Sequence, residues 1–195
     1  MIDYLVVSLI DATDIFGLDK VNESFKSFTC SEEKDLEDFL LNKAVDYENA
    51  GKGKTFLLID SAKTIQEQTP VIVAYYTLAN TAIDLSNFGE NKKKKVVGDF
   101  PNRDQRNSFP AFLIGQLGRD SKYDHNDLSG EIIVKEAFHT LKSAADIVGG
   151  KLVVLECREH MYDKVYSKLG FKKLDNELNS DGLYMLYSRI DFNSF

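Results

Sequence analysis

A single α/β domain with a mixed central β-sheet is the fold class this chain predicts, and three stretches predict it. By pattern, residues 112–171 run strand, short polar loop, long amphipathic helix, buried strand and second helix, a βαβα order. Residues 55–60 (TFLLID) and 71–79 (VIVAYYTLA) are β-rich runs joined by a polar connection holding Pro70, which reads as an antiparallel pair. FKKL (171–174) and LYMLYSRI (183–190) read as a closing antiparallel hairpin. With 195 residues and no repeat or linker, the chain is expected to form one domain, 1–195. That is large enough to bury its core without metals or disulfides.

From the N-terminus, residues 4–10 (YLVVSLI) read as a first strand, 11–19 as a turn or short helical piece, and 21–27 as a further extended segment. Ser31, Glu32 and Glu33 then open a helix, with a cap candidate followed by acids that suit the helix dipole. Its apolar stripe is Leu36, Phe39/Leu40, Ala44 and Tyr47, and Gly51 ends it. Residues 85–108 lack periodicity, hold the run Lys92–Lys95 and read as a long loop. FPAFLIGQLGR (109–119) returns to strand. The long helix presents Leu128, Ile132/Ile133, Ala137, Leu141, Ala144/Ala145 and Val148 on one face and stops at Gly149–Gly150. KLVVLE (151–156) is a continuous apolar run, as in a strand covered on both faces, and a second helix occupies 159–169.

The formal charge of −7 argues against a broad nucleic-acid or anionic-membrane footprint. Cys30 and Cys157 form no CxxC pair, so neither a disulfide scaffold nor a structural zinc site is expected. The apolar run near the N-terminus lacks a basic flank and a cleavage site and is too short to span a bilayer, so the expected location is the cytoplasm. His125, His139 and His160 stand apart without a metalloprotease or triad signature, and no metal site is expected.

Two places carry candidate chemistry. The loop YDHNDLSGE (123–131) joins a strand to a helix, where unpaired N–H groups and the dipole favour an anion. It can equally be an ordinary helix cap by Asn126, Asp127 or Ser129. Asp127 would repel a phosphate and is expected to face solvent. Tyr166 shares a predicted helix face with Tyr162 and Leu169, so it can be a packed aromatic or a phenol that donates a proton.

Taken together, IGQLGRD (114–120), NDLSGE (126–131) and VYSKLGF (165–171) resemble the GNAT superfamily of acyl-CoA N-acyltransferases. VYSKLGF is close to that family's FYxxxGF, and IGQLGRD to a strand that commonly reads LGRLAVD. In the N-terminal half, FTCSEEKDLEDFLLNKA (28–44) and AYYTLA (74–79) are similar to the subgroup containing the aminoacyl-tRNA-acetylating (TacT-like) toxins. The resemblance spans about residues 21–190. It departs at the phosphate turn, which lacks the family's leading Gln/Arg and first glycine, and at Arg119, where a hydrophobe is common.

The resemblance implies a GNAT-like domain that transfers acetyl from acetyl-CoA directly to an amine, without a metal. Leu117, Gly118 and Arg119 would offer main-chain hydrogen bonds to pantetheine. Asn126, Leu128, Ser129, Gly130 and Glu131 would line the pyrophosphate turn, and Tyr166 would protonate the departing thiolate. Glu156 is a candidate base beside the place where the two strands are expected to diverge. The expected acceptor is a small molecule or protein amine. The alternatives are a toxin that acetylates charged tRNA, paired with an antitoxin, and a non-catalytic CoA-binding or interaction module. The charge of −7 weighs against tRNA, and a homodimer is a further expectation.

Overall fold

A computed structural model of the protein describes residues 2–190. Among the described residues, seven strands occur in the hydrogen-bonded order β1-β2-β3-β4-β5-β7-β6. The chain forms two compact units, one from Met1–Ala79 and Gly115–Ala137, the other from Asn80–Ile114 and Phe138–Phe195.

In the first unit, β1 (Tyr4–Ser8), β2 (Lys54–Asp60) and the start of β3 (Ile72–Asp84) pair antiparallel, with Leu5 opposite Ile59 and Leu57 opposite Tyr75. The predicted pairing of 55–60 with 71–79 is therefore present. The first strand is shorter than expected because Ser8 accepts a hydrogen bond from the Asp11 N–H at 3.0 Å, starting α1 (Leu9–Phe16). The segment 21–27 is not extended but lies in α2 (Leu18–Ser27). Its buried Val21, Ser24 and Phe25, with Phe28 just beyond, follow the three-to-four spacing of a helix face. The expected helix from Ser31 to Gly51 begins later and breaks at Lys43 into α3 (Lys34–Asn42) and α4 (Ala44–Asn49). The polar connection before Pro70 contains α5 (Ser61–Glu67), capped by the Asp60 carboxylate on the Lys63 N–H at 3.0 Å. Phe25, Phe28, Phe39, Leu40, Leu57 and Tyr75 are central to this unit's core.

In the second unit, residues 85–107 are partly helical rather than a long loop: α6 spans Glu90–Val97, and a 3-10 turn spans Arg103–Gln105. The four lysines lie on α6. Lys93 is buried and donates to Asn107 Oδ1 at 2.8 Å, so the helix is anchored by a polar contact as well as by Val96. The first part of β4 (Ser108–Arg119) runs parallel to β5 (Leu152–Cys157), as a strand–helix–strand crossover through α7 (Gly130–Val148) requires. β5 pairs antiparallel with β7 (Tyr184–Arg189), and β7 with β6 (Lys172–Lys173), the predicted closing hairpin. Val154, Leu174 and Tyr187 join Val96 and Phe109 in a hydrophobic cluster of this unit.

Along α7, Ile133, Ala137, Leu141 and Ala145 are buried as their spacing predicts. Val148 is 73% exposed, against expectation, because the last turn projects past the neighbours that cover the stripe. The helix stops at Gly149 and Gly150, whose φ angles of 78° and 105° are open to glycine at little cost.

Candidate functional site

The end of β4 runs on past its short ladder with β5, so its main-chain edge on that side has no strand partner among the described residues. Pairing covers Phe112–Ile114 against Val153–Leu155, and Gly115–Arg119 continue beyond it. An extended ligand can add to such an edge as a strand would. Leu117 and Arg119 are half-buried, and Gly118 is buried. The requirement for glycine at 118 is one of packing: a Cβ there would stand 3.2 Å from both Leu36 Cδ1 and Tyr75 Cε1. Tyr75 cannot give easily, since it is fully buried and its hydroxyl donates to the Leu36 carbonyl at 2.7 Å. Gly118→Val should therefore cost about 1–3 kcal/mol of stability by overpacking. Chemical denaturation checks this, and an unchanged midpoint would refute it.

The turn after β4 is built largely from its own carboxylates. Buried Asp120 accepts from the Thr29 hydroxyl and the Lys122 N–H, both at 3.0 Å. The Asp124 carboxylate accepts from the N–H groups of Asn126 (2.7 Å) and Asp127 (3.1 Å), and the Asp124 carbonyl accepts from the Leu128 N–H at 3.1 Å. The Asp127 and Asn126 N–H groups hold the Asp124 carboxyl below its ordinary value. Two expectations change here. The Asn126 and Leu128 amides are already used within the turn, so they are not free for a pyrophosphate. Asp127 does not simply face solvent: it is half-buried, its carboxylate accepts from the Asp124 N–H at 3.0 Å and its carbonyl from the Ile2 N–H at 3.1 Å.

Ser129 caps α7, accepting from the Ile132 N–H through both its hydroxyl (3.3 Å) and its carbonyl (3.1 Å). That leaves the N–H groups of Ser129, Gly130 and Glu131 without a partner among the described residues, at the positive end of a 19-residue helix. Arg119 has a role the sequence did not disclose. Its Nη1 donates to the Leu128 carbonyl at 2.8 Å and ties the strand's end to the turn.

In the second unit, residues 159–169 do not form the expected continuous helix. A three-residue α8 (Glu159–Met161) passes into a π-helical turn over Tyr162–Tyr166, closed by the Ser167 N–H on the Tyr162 carbonyl at 2.9 Å. Such turns are rare and frequent at functional sites. The wider turn leaves Tyr162 half-exposed and buries Tyr166 to 6% exposure. The Tyr166 ring meets Phe171 edge-on at 5.6 Å, and Phe171 meets Phe138 in the same way at 5.5 Å. Tyr166 is thus a packed aromatic, yet its hydroxyl has no hydrogen-bond partner among the described residues. Burial, with a smaller contribution from Cys157, pushes its pKa well above that of an ordinary phenol, so the proton is present throughout the physiological range.

Glu156 is exposed and lines a cleft of about 530 Å³ formed by the end of β3, β4, β5 and residues 174–185. Its Oε1 accepts from Asn179 Nδ2 at 3.0 Å. His125, His139 and His160 are exposed, and no group of His, Cys, Asp or Glu among the described residues is arranged to hold a metal. Nor is any described helix long and apolar enough to cross a membrane.

No protein-family model and no curated protein matches the sequence. Solved structures do. A bacterial toxin superposes with a TM-score of 0.72 at 16% identity, covering 97% of this chain and 92% of the toxin. AtaT complexed with acetyl-methionyl-tRNAfMet gives 0.65 at 20% identity, covering 94% of each chain. This is a GNAT-like fold. A tyrosine-to-phenylalanine mutant of KacT shares it, with a TM-score of 0.67 at 18% identity over 95% of this chain and 94% of KacT. At these identities the likeness is one of architecture, and it extends over nearly the whole chain.

Proposed function

We propose that this protein is an acetyl-CoA-dependent N-acetyltransferase whose acceptor is the amino group of an aminoacyl-tRNA. The observation that carries the reading is a fold shared almost end to end with AtaT bound to acetyl-methionyl-tRNAfMet. A tyrosine-to-phenylalanine mutant of AtaT has also been solved with acetyl-CoA and the C-terminus of the antitoxin AtaR, so a protein antitoxin belongs to the same reading. The chain's own residues fit the co-substrate. The main chain of Leu117, Gly118 and Arg119 would take the pantetheine arm, and the free N–H groups of Ser129, Gly130 and Glu131 would take phosphate oxygens.

The reaction needs an unprotonated amine, because an ammonium has no lone pair with which to attack the thioester carbon. A new N–C bond then forms, the C–S bond breaks, and the sulfur leaves as a thiolate. Glu156 is the carboxylate we assign to accept the amine's proton. Tyr166 donates its O–H towards the sulfur. The buried phenol is a far weaker acid than a thiol, whose pKa is about 8.5. Full proton transfer from tyrosine is therefore uphill, and the hydroxyl serves chiefly by hydrogen-bonding the developing negative charge.

The test is acetylation of purified aminoacyl-tRNAs with labelled acetyl-CoA, using the parent chain and Glu156→Gln. Transfer to the aminoacyl amine, with a slower rate in the variant, is the expected result. Transfer to small amines or proteins but not to charged tRNA would instead establish the second reading, which the charge of −7 and the acidic cleft favour.

A further inference from the structure

The cleft around Glu156 has a lining that constrains the acceptor. Its floor is apolar, made by Leu113, Val154, Leu174 and Met185. Four carboxylates border it, those of Asp84, Glu156, Asp175 and Glu177, and no lysine or arginine among the described residues lines it. Three of the four accept one hydrogen bond each from a neutral donor: Asp84 from the Ser86 N–H at 2.8 Å, Glu156 from Asn179, and Asp175 from the Glu177 N–H at 3.0 Å. None of them forms an ion pair among the described residues. Elsewhere on the protein, acidic groups do find cations, as Glu48 does with Lys54 and Glu159 with Lys173.

Uncompensated like charges in a concave, partly apolar space repel one another and focus a negative potential. A ligand that brings positive charge relieves that repulsion, and a ligand that brings more negative charge adds to it. The floor meanwhile offers contact for a short hydrocarbon chain.

We propose that this cleft receives a cationic acceptor, with an alkyl chain on Leu113, Val154, Leu174 and Met185 and a positive charge among Asp84, Glu156, Asp175 and Glu177. The inference rests on the acetyltransferase reading for the word acceptor, while the cleft's preference for a cation rests on its own lining. On charged tRNA it selects a lysyl or arginyl group over a neutral one, so the cleft decides specificity by the side chain next to the reacting amine.

Lysine amide and norleucine amide make the test, since they differ chiefly by one terminal ammonium. Each is titrated into the intact protein and followed by NMR at the methyl groups of Val154, Leu174 and Met185. Lysine amide is expected to bind at least about tenfold more tightly, with shifts at those methyls and a clear weakening as salt rises. Asp175→Asn combined with Glu177→Gln should remove most of that preference, weakening the doubly charged lysine amide more than the singly charged norleucine amide. Equal binding of the two amides, or binding that leaves the three methyls unmoved, overturns the proposal.

Acetyl transfer is then measured on the same pair. A lysine amide preference in binding with no acetyl transfer to any amine would sustain the cleft assignment and remove the enzymatic reading. Acetyl transfer that is equally fast to both amides, in the parent and in the double variant, would sustain the enzyme and remove the cleft assignment.

Discussion

Tyr166→Phe should lower kcat by about 10- to 150-fold while leaving acetyl-CoA affinity and thermal stability nearly unchanged. The magnitude follows from a hydrogen bond to a charged group, worth about 1.5–3 kcal/mol, converted at one tenfold rate change per 1.36 kcal/mol. The stability expectation follows from the packing. The ring's edge-on contact with Phe171 survives in phenylalanine, and the lost hydroxyl leaves no described donor or acceptor unpaired. Steady-state kinetics alongside a melting curve separate the two. A kcat unchanged within twofold would remove Tyr166 from the chemistry and leave it a core aromatic. A collapse in melting temperature would mean the hydroxyl supports the fold.

Placing two carboxylates at the start of α7, with Ser129→Glu and Gly130→Glu, should abolish measurable acetyl-CoA binding, a loss of at least about 100-fold. On the proposed reading the three N–H groups there, without a partner among the described residues, would hold phosphate oxygens, and two anions at that seat would both occupy it and repel a pyrophosphate. The protein should remain folded. Acids in the first turn complement the helix dipole, and glycine is a poor helix former, so Gly130→Glu offsets the cap that Ser129 supplies to Ile132. Calorimetric titration with a melting curve on the same sample reads both. Undiminished affinity in a folded variant would move the phosphate site away from this helix. Arg119→Gln offers a milder version: it removes the bond to the Leu128 carbonyl, and should weaken binding by loosening the turn without adding negative charge.

The strand–helix–strand core and the closing hairpin were legible because each follows from a local spacing. The apolar run of β5, the stripe along α7 and the two β-rich runs of β2 and β3 each carry their own period. Elements whose buried side is polar or very short escaped that reading. α6 is held by Lys93 and Val96, so its sequence ENKKKKVV shows no apolar stripe. α5 announces itself only through Asp60, a cap that also ends a strand. The segment 21–27 is short enough that β-like residues masked the helical spacing of Val21, Phe25 and Phe28.

The candidate site divides along the same line. Local order determined the position of Tyr166 before a Gly-Phe pair, the serine at the start of the long helix and the glycine strand end, because each depends on neighbours a few residues away. Tertiary structure alone decided how those residues are used. The π-helical turn that buries Tyr166 forms around Phe171 and Phe138, and the Asp124 carboxylate takes the Asn126 and Asp127 amides only once the turn has closed. Asp84 and Asp175 border one cleft although much of the chain lies between them, since the strand order brings the end of β3 to the same face as the loop before β7. A sequence determines periodicity through nearest neighbours. The charge of a cleft is a sum over residues that only the folded sheet brings together.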